Sequence, residues 1–144
     1  AYTLGEHGDS QMAAWSQVSF AGKPLSELEK EDPDHFAHLD KPALLKEVIN
    51  AGWVTFAGKG ATEFGIASTL ARFVQCIFHD EKQIMPASTL LEGQYGEEGL
   101  FISTPCMIGR NGIERVIELN LNDEELKEFK HSCDVIKSHI AKIK

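Results

Sequence analysis

The spacing of apolar side chains changes several times along the chain, and each change predicts a different element. Near the C-terminal end Leu126, Phe129, Cys133, Ile136, Ile140 and Ile143 follow one another in steps of three and four, the repeat of one narrow helical face. Asn122 stands where a side-chain cap is needed, with Glu125 three residues on. Asp123, Glu124 and Glu125 face the positive end of that helix, and Lys137, Lys142 and Lys144 sit at the other. The seam predicts docking on the chain's own sheet, with pairing to another subunit as the alternative.

Two further segments carry a helical repeat. Asp40 precedes Pro42 and the spaced group Leu44, Leu45, Val48 and Ile49, which predicts a capped helix ending at Gly52 or a few residues beyond. In "KGATEFGIASTLARFVQCIFHDEK", Ile66, Leu70, Phe73 and Ile77 form one stripe, with Ala67, Ala71, Val74 and Phe78 beside it. So wide an apolar face predicts a central, mostly buried helix. Gly65, Ala67, Ser68 and Ala71 would let another backbone come close.

From Ile84 the repeat shortens to runs of strand type, "IMPASTLL", "LFISTPCMI" and "IERVIEL", separated by "EGQYGEEG" and "GRNG". The Asn111-Gly112 pair marks a hairpin, and an antiparallel sheet is predicted. Earlier in the chain "MAAWSQVSF" reads as a strand or hairpin edge followed by the turn "AGKPL". The charged run at residues 26–40 reads as a solvated loop with at most a helical turn.

Composition narrows the class. With 144 residues, 42% hydrophobic and 25% charged, the chain is of a size and make-up for one domain with a real core. The formal charge of -8 opposes a nucleic-acid backbone or an anionic membrane surface as main partner and leaves small molecules or proteins. No apolar run reaches the roughly 20 residues of a membrane span, so a soluble, cytoplasmic protein is expected. Cys76, Cys106 and Cys133 are an odd number at wide spacings among apolar neighbours, the mark of buried free thiols rather than of disulfides or a zinc site.

The chemistry concentrates at "LGEHGDS", Leu4 to Ser10. His7 carries an imidazole, which can both accept and donate a proton, and lies between glycines, beside Glu6 and Asp9, which suits it to exchange a proton with a substrate; it can equally be a loop histidine with charges nearby. Thr62 stands at the start of the second helical segment, where its hydroxyl caps the helix or faces a ligand. His35 and His38 share helical spacing but lack a second ligand pair, so no metal site is expected. No glycine fingerprint or phosphate loop is present. The arginines, Arg72, Arg110 and Arg115, lie in none of the stretches that look like a site.

"LGEHGDSQMAAWS" resembles the active-site signature of the lactate/malate dehydrogenase superfamily, in its lactate and 2-hydroxyacid branch. The likeness continues through "KGATEFGIAS", "ISTPCMIGRNGI" and "LNDEELKEFKHSCDVIKSHI", in order along the whole chain. The resemblance implies an α+β fold of the lactate/malate dehydrogenase C-terminal-domain type, an antiparallel sheet packed with long helices, forming one catalytic domain over residues 1–144. The N-terminal Rossmann domain of a two-domain enzyme, with the glycine fingerprint, the carboxylate-binding arginine and the aspartate that orients the histidine, would lie ahead of Ala1. It further implies that His7 is the proton acceptor and donor, that Thr62 lies beside the substrate and that Ile66 packs on the nicotinamide of NAD. The implied reaction interconverts (S)-lactate and pyruvate, in a cytoplasmic homotetramer. A piece lacking the first domain is then expected to be inactive and to associate through its uncovered surface.

Other readings remain at this stage. A branched 2-hydroxyacid such as 2-hydroxyisocaproate is the alternative substrate, with malate less in keeping with this form of the motif. "GDS" also resembles the opening block of a serine esterase, with Ser10 as nucleophile, although Gln11 replaces the expected leucine and the one Asp-x-x-His spacing, Asp32 to His35, falls in the charged run. A third reading is a helical interaction module built on the final seam.

Overall fold

The computed structural model describes residues 1–143; Lys144, assigned above to the basic end of the last helix, lies outside them. The chain runs through strands β1 (Thr3–Leu4), β2 (Met12–Ala13), β3 (Ser19–Phe20) and β4 (Lys23–Pro24) and then helices α1 (Leu25–Glu31), α2 (Pro33–Phe36), α3 (Lys41–Lys59) and α4 (Glu63–His79). Strands β5 (Gln83–Glu92), β6 (Glu98–Gly109) and β7 (Gly112–Val116) precede the last helix, α5 (Asp123–Ala141). The predicted α+β architecture with an antiparallel sheet is what forms.

The sheet is three-stranded, in the order β5-β6-β7. Along β6 the even-numbered residues Leu100, Ile102, Thr104, Cys106 and Ile108 are buried while Phe101 faces out, the period of two that one covered face demands. The β6–β7 hairpin closes where predicted, with Gly109 opposite Gly112. The positive φ falls on Gly112 (86°) and not on Asn111, and the register slips between Met107 and Ile108 so that Glu114 is left unpaired as a bulge. The "MAAWSQVSF" stretch is two short strands around a turn of 3-10 helix at Trp15–Gln17.

Leu4, Met12, Leu91, Tyr95, Leu100, Ile102, Phe129 and Cys133 form the main core, and α5 supplies the last two of them. The seam of α5 therefore docks on the chain's own sheet over Leu126 to Ile136, while Ile140 and Ile143 beyond it stay exposed. A pure interaction module is thereby ruled out for the first half of that helix. Its N-terminus carries a full capping box: the Glu125 amide donates to Asn122 Oδ1 (2.9 Å) and the Asn122 amide to Glu125 Oε2 (3.2 Å).

Three expectations need correction. Residues 26–40 are not a loop: α1 and α2 occupy most of them, because buried Leu25 anchors the first to the body and Pro33 starts the second at its first turn. Helix α3 does not stop near Gly52 but runs to Lys59. A glycine inside a helix costs only about 1 kcal/mol relative to alanine, and it is Gly60, at φ 75°, that turns the chain out. Helix α4 is not mostly buried. Phe73, Cys76 and Ile77 pack on Cys106, Ile108 and neighbours, and the Cys76 thiol donates to the Ile108 carbonyl (3.1 Å). The rest of its wide apolar face is open, with Leu70 62% and Phe78 75% exposed.

All three cysteines are buried and free, as expected. Among the described residues no helix is long and apolar enough to cross a membrane.

Candidate active site

The loop that carries His7 is held from two sides. Gly5 extends β1 by one residue and pairs with Ser103 of β6, its amide donating to the Ser103 carbonyl (3.0 Å) and its carbonyl accepting from the Ser103 amide (3.2 Å). On the other side stands Ser132 of α5, fully buried between the anchors Phe129 and Cys133. The Glu6 amide donates to Ser132 Oγ (2.7 Å), the Ser10 hydroxyl donates to the Glu6 carboxylate, and Ser10 Oγ lies 3.1 Å from Ser132 Oγ.

Of the two glycines of the motif, Gly5 is the one the packing requires. Gly5 has φ +100°, and a Cβ on it would lie 2.5 Å from Ser132 Oγ. A Cβ on Gly8 would lie 2.9 Å from the Glu6 carboxylate carbon, so that carboxylate is tucked against the turn. Gly5 makes room for the loop to pack on α5.

Consecutive side chains on this loop face opposite ways. Glu6 lines a hollow on the α5 side with Ser10, His131 and His139. His7 is exposed and lines a separate cleft of about 320 Å³ with Gln11, Ile49, Trp53, Phe56 and Thr62. Histidine ion pairs among the described residues are His35 with Asp32 and His79 with Glu81, and neither engages His7. Its imidazole is thus available to something in the cleft.

Thr62 is brought to the same cleft by the α3–α4 connection. It occupies the N-cap position of α4, yet its hydroxyl makes no capping hydrogen bond. Of the two readings offered by sequence, capping is the one the geometry overturns. Ile66 lies one turn along α4, 64% exposed, and outside the lining of the cleft. The structure therefore brings His7 and Thr62 together and leaves Ile66 on the neighbouring open surface.

The cleft can donate and accept a proton at one imidazole, hydrogen-bond at the Thr62 hydroxyl and the Gln11 amide, present one carboxylate at Asp9 and offer an apolar wall. Among the described residues its lining includes no lysine or arginine. Ser10, the nucleophile of the esterase reading, has its hydroxyl engaged by Glu6 and Ser132. Its supposed acid–base partners form their own exposed pair, His35 Nδ1 to Asp32 at 2.9 Å. Burial pushes the Cys133 thiol up to about 11 and raises that of Cys106, and the Arg72 guanidinium lowers the Glu81 carboxyl.

Three residues of this region escaped the sequence reading. Trp53 and Phe56 were hidden by ending the helix too early, although they lie four and seven residues past Ile49 on the same helical spacing. Ser132 was hidden because the seam drew attention to its apolar neighbours; a hydroxyl wedged between Phe129 and Cys133 is the available signal.

Comparison with known proteins gives a consistent picture. The family model described as lactate/malate dehydrogenase, alpha/beta C-terminal domain, matches residues 1–144. The L-lactate dehydrogenase of Fusobacterium nucleatum is 40% identical over 140 residues, 97% of this chain and 44% of that protein. The L-lactate dehydrogenase 1 of Bifidobacterium longum is 41% identical over 138 residues, 96% of this chain and 44% of its own length. Among solved structures, the minor L-lactate dehydrogenase of Enterococcus mundtii in its ligands-bound form superposes with a TM-score of 0.89 at 34% identity, over 99% of this chain and 45% of that one. The malate dehydrogenase of Aeropyrum pernix follows at 0.78 and 32%, over 94% of this chain and 43% of that one. The chain thus spans a little under half the length of these relatives.

Proposed function

The chain belongs to the lactate/malate dehydrogenase family, as its alpha/beta C-terminal domain, and from that premise we propose that it is the catalytic half of a two-domain, cytoplasmic, NAD-dependent L-lactate dehydrogenase. The observation that carries the proposal is the meeting of His7 and the uncapped hydroxyl of Thr62 in one cleft, although they come from distant parts of the chain. Relatives sharing about 40% of this sequence are L-lactate dehydrogenases, which favours lactate and pyruvate over a branched 2-hydroxyacid.

His7 is the acid–base group of this proposal. When lactate is oxidised, its ring nitrogen accepts the proton of the C2 hydroxyl; when pyruvate is reduced, the imidazolium returns a proton to the oxo oxygen. Thr62 hydrogen-bonds beside it and orients the small acid, and the apolar wall of Trp53 and Phe56 helps to keep bulk water away. NAD, when bound, supplies the hydride acceptor for the substrate C2. The residues present fit the nicotinamide end of such a cofactor, since Ile66 offers an open apolar surface next to the cleft. Among the described residues no cationic side chain other than His7 lines the cleft to pair with a substrate carboxylate, so in this proposal that partner and the dinucleotide site belong to the preceding domain, in a parent enzyme that is a homotetramer.

Kinetics of the parent enzyme test the assignment. His7→Asn is expected to lower kcat by about two to four orders of magnitude, the usual worth of a positioned acid–base group. Retained turnover would refute it. Preference for 2-ketoisocaproate or oxaloacetate over pyruvate would refute the lactate assignment while leaving His7 in its role.

A further inference from the structure

We propose that Ser132, on the C-terminal helix, is a positioning residue for His7. The inference rests on the acid–base reading above and adds to it the part of the fold that fixes where the imidazole points.

The hydrogen bonds around Ser132 have one consistent direction. A carboxylate accepts only, so the Ser10 hydroxyl must give its proton to Glu6. The Glu6 amide gives its proton to Ser132 Oγ, which leaves the Ser132 hydroxyl proton for Ser10 Oγ at 3.1 Å. The result is a closed circuit: Glu6 amide to Ser132, Ser132 to Ser10, and Ser10 back to the Glu6 carboxylate. It spans the turn that contains His7 and holds Glu6 on the side away from the cleft.

Ser132 is able to serve as the fixed point because the core, and not the loop, places it. It is fully buried on α5, one turn after Phe129 and next to Cys133, both of which are in the main core. Gly5 presses on it so closely that no side chain fits between them. The backbone leading into His7 is therefore referenced to the sheet at Gly5 and to the helix at Glu6, and the imidazole is left to point into the cleft. A serine that merely filled space here would need no bond to the amide preceding the histidine.

Three variants of the full-length enzyme test this, read by steady-state kinetics and by hydrogen exchange at the Glu6 amide. Ser132→Ala leaves that amide without its acceptor, and the expected result is about a 10- to 100-fold loss in kcat, in the range that small misplacements of a reacting group produce, with a much smaller change in KM. The Glu6 amide is expected to exchange about 10-fold faster or more while amides of β5 and β6 keep their protection. Ser10→Ala removes both hydrogen bonds of the Ser10 hydroxyl while leaving the residues of α5 unchanged, and a smaller loss of about 3- to 10-fold in kcat is expected, because the Glu6 amide keeps its acceptor on Ser132. Should Ser132→Ala fail to fold, Ser10→Ala decides the matter. Unchanged kcat and unchanged Glu6 exchange would overturn the proposal, and so would a kcat loss accompanied by equal loss of protection across the whole sheet. His7→Asn is the separate control. Activity surviving in it defeats the acid–base reading, while Glu6 exchange still reports whether Ser132 holds the loop.

Discussion

Gly5 and Ser132 meet so closely that the two positions have to be read as one. The glycine sits at φ +100°, and a methyl group there would come within 2.5 Å of the oxygen of fully buried Ser132. The glycine ahead of the histidine is thus set by a helix residue far away in sequence.

Gly5→Ala is accordingly expected to be among the most damaging single changes in the molecule. A positive φ of this kind costs a non-glycine residue about 1–3 kcal/mol, and the clash with Ser132 adds to it. Thermal denaturation should show the loss, and activity of the full-length enzyme should fall with it. Ser132→Gly removes the clash but also the acceptor of the Glu6 amide, so it serves as the background: Gly5→Ala is expected to lower the melting temperature less in that background than in the native chain. An equal fall in both backgrounds would mean that the clash carries no cost.

The cap of α5 offers a cleaner measurement. Asn122→Ala deletes the oxygen that accepts the Glu125 amide, and caps of this type are worth about 1 kcal/mol. The Glu125 carboxylate has further partners, the amide and hydroxyl of Ser16, so Glu125→Ala removes more than the cap and should cost more. Chemical denaturation of both variants would rank them, and the opposite order would show that the Ser16 contact adds nothing.

Cys133 gives a pH dependence with a definite sign. Burial raises its thiol from the ordinary 9.0 to about 11, so between those values the folded chain keeps a proton that the unfolded chain releases. Stability from this group is full below pH 9 and is lost as pH rises toward 11, by about 2–3 kcal/mol at most if each unit is worth 1.36 kcal/mol. Cys133→Ala should flatten the decline of melting temperature above pH 9, and an unchanged slope would refute the assignment. The native thiol should also resist disulfide reagents at pH 8.

The final helix, the β6–β7 hairpin and the cap at Asp40 were legible because each rests on local rules: a repeat of three and four, an Asn-Gly pair, and a side chain that accepts from the Ala43 amide at 3.0 Å. What misled was burial. An apolar stripe says that a surface seeks cover, but not whether the cover lies within these residues. Helix α4 has the widest stripe in the chain and buries only its Cys76 side. His7 was legible from its motif, whereas Ser132 was not, since its role depends on a contact between the two ends of the chain.

The open face of α4 leads to the last prediction. Phe64, Leu70 and Phe78 are mainly exposed here, and in the proposed enzyme they belong to surface covered by the preceding domain or by other subunits. An isolated chain of these 144 residues should therefore oxidise no NADH with pyruvate and should self-associate in a concentration-dependent way, as sedimentation velocity would show. Because these side chains bury little within the chain, Phe64→Glu and Leu70→Glu should each change its own stability by no more than about 0.5 kcal/mol, as is usual at exposed sites, while weakening the association. The same two substitutions in the full-length enzyme should do the reverse and lower its melting temperature, since there the faces are covered. A chain that stays monomeric before substitution, or a full-length enzyme indifferent to it, would show that α4 is a solvent-facing helix and that its stripe has no partner.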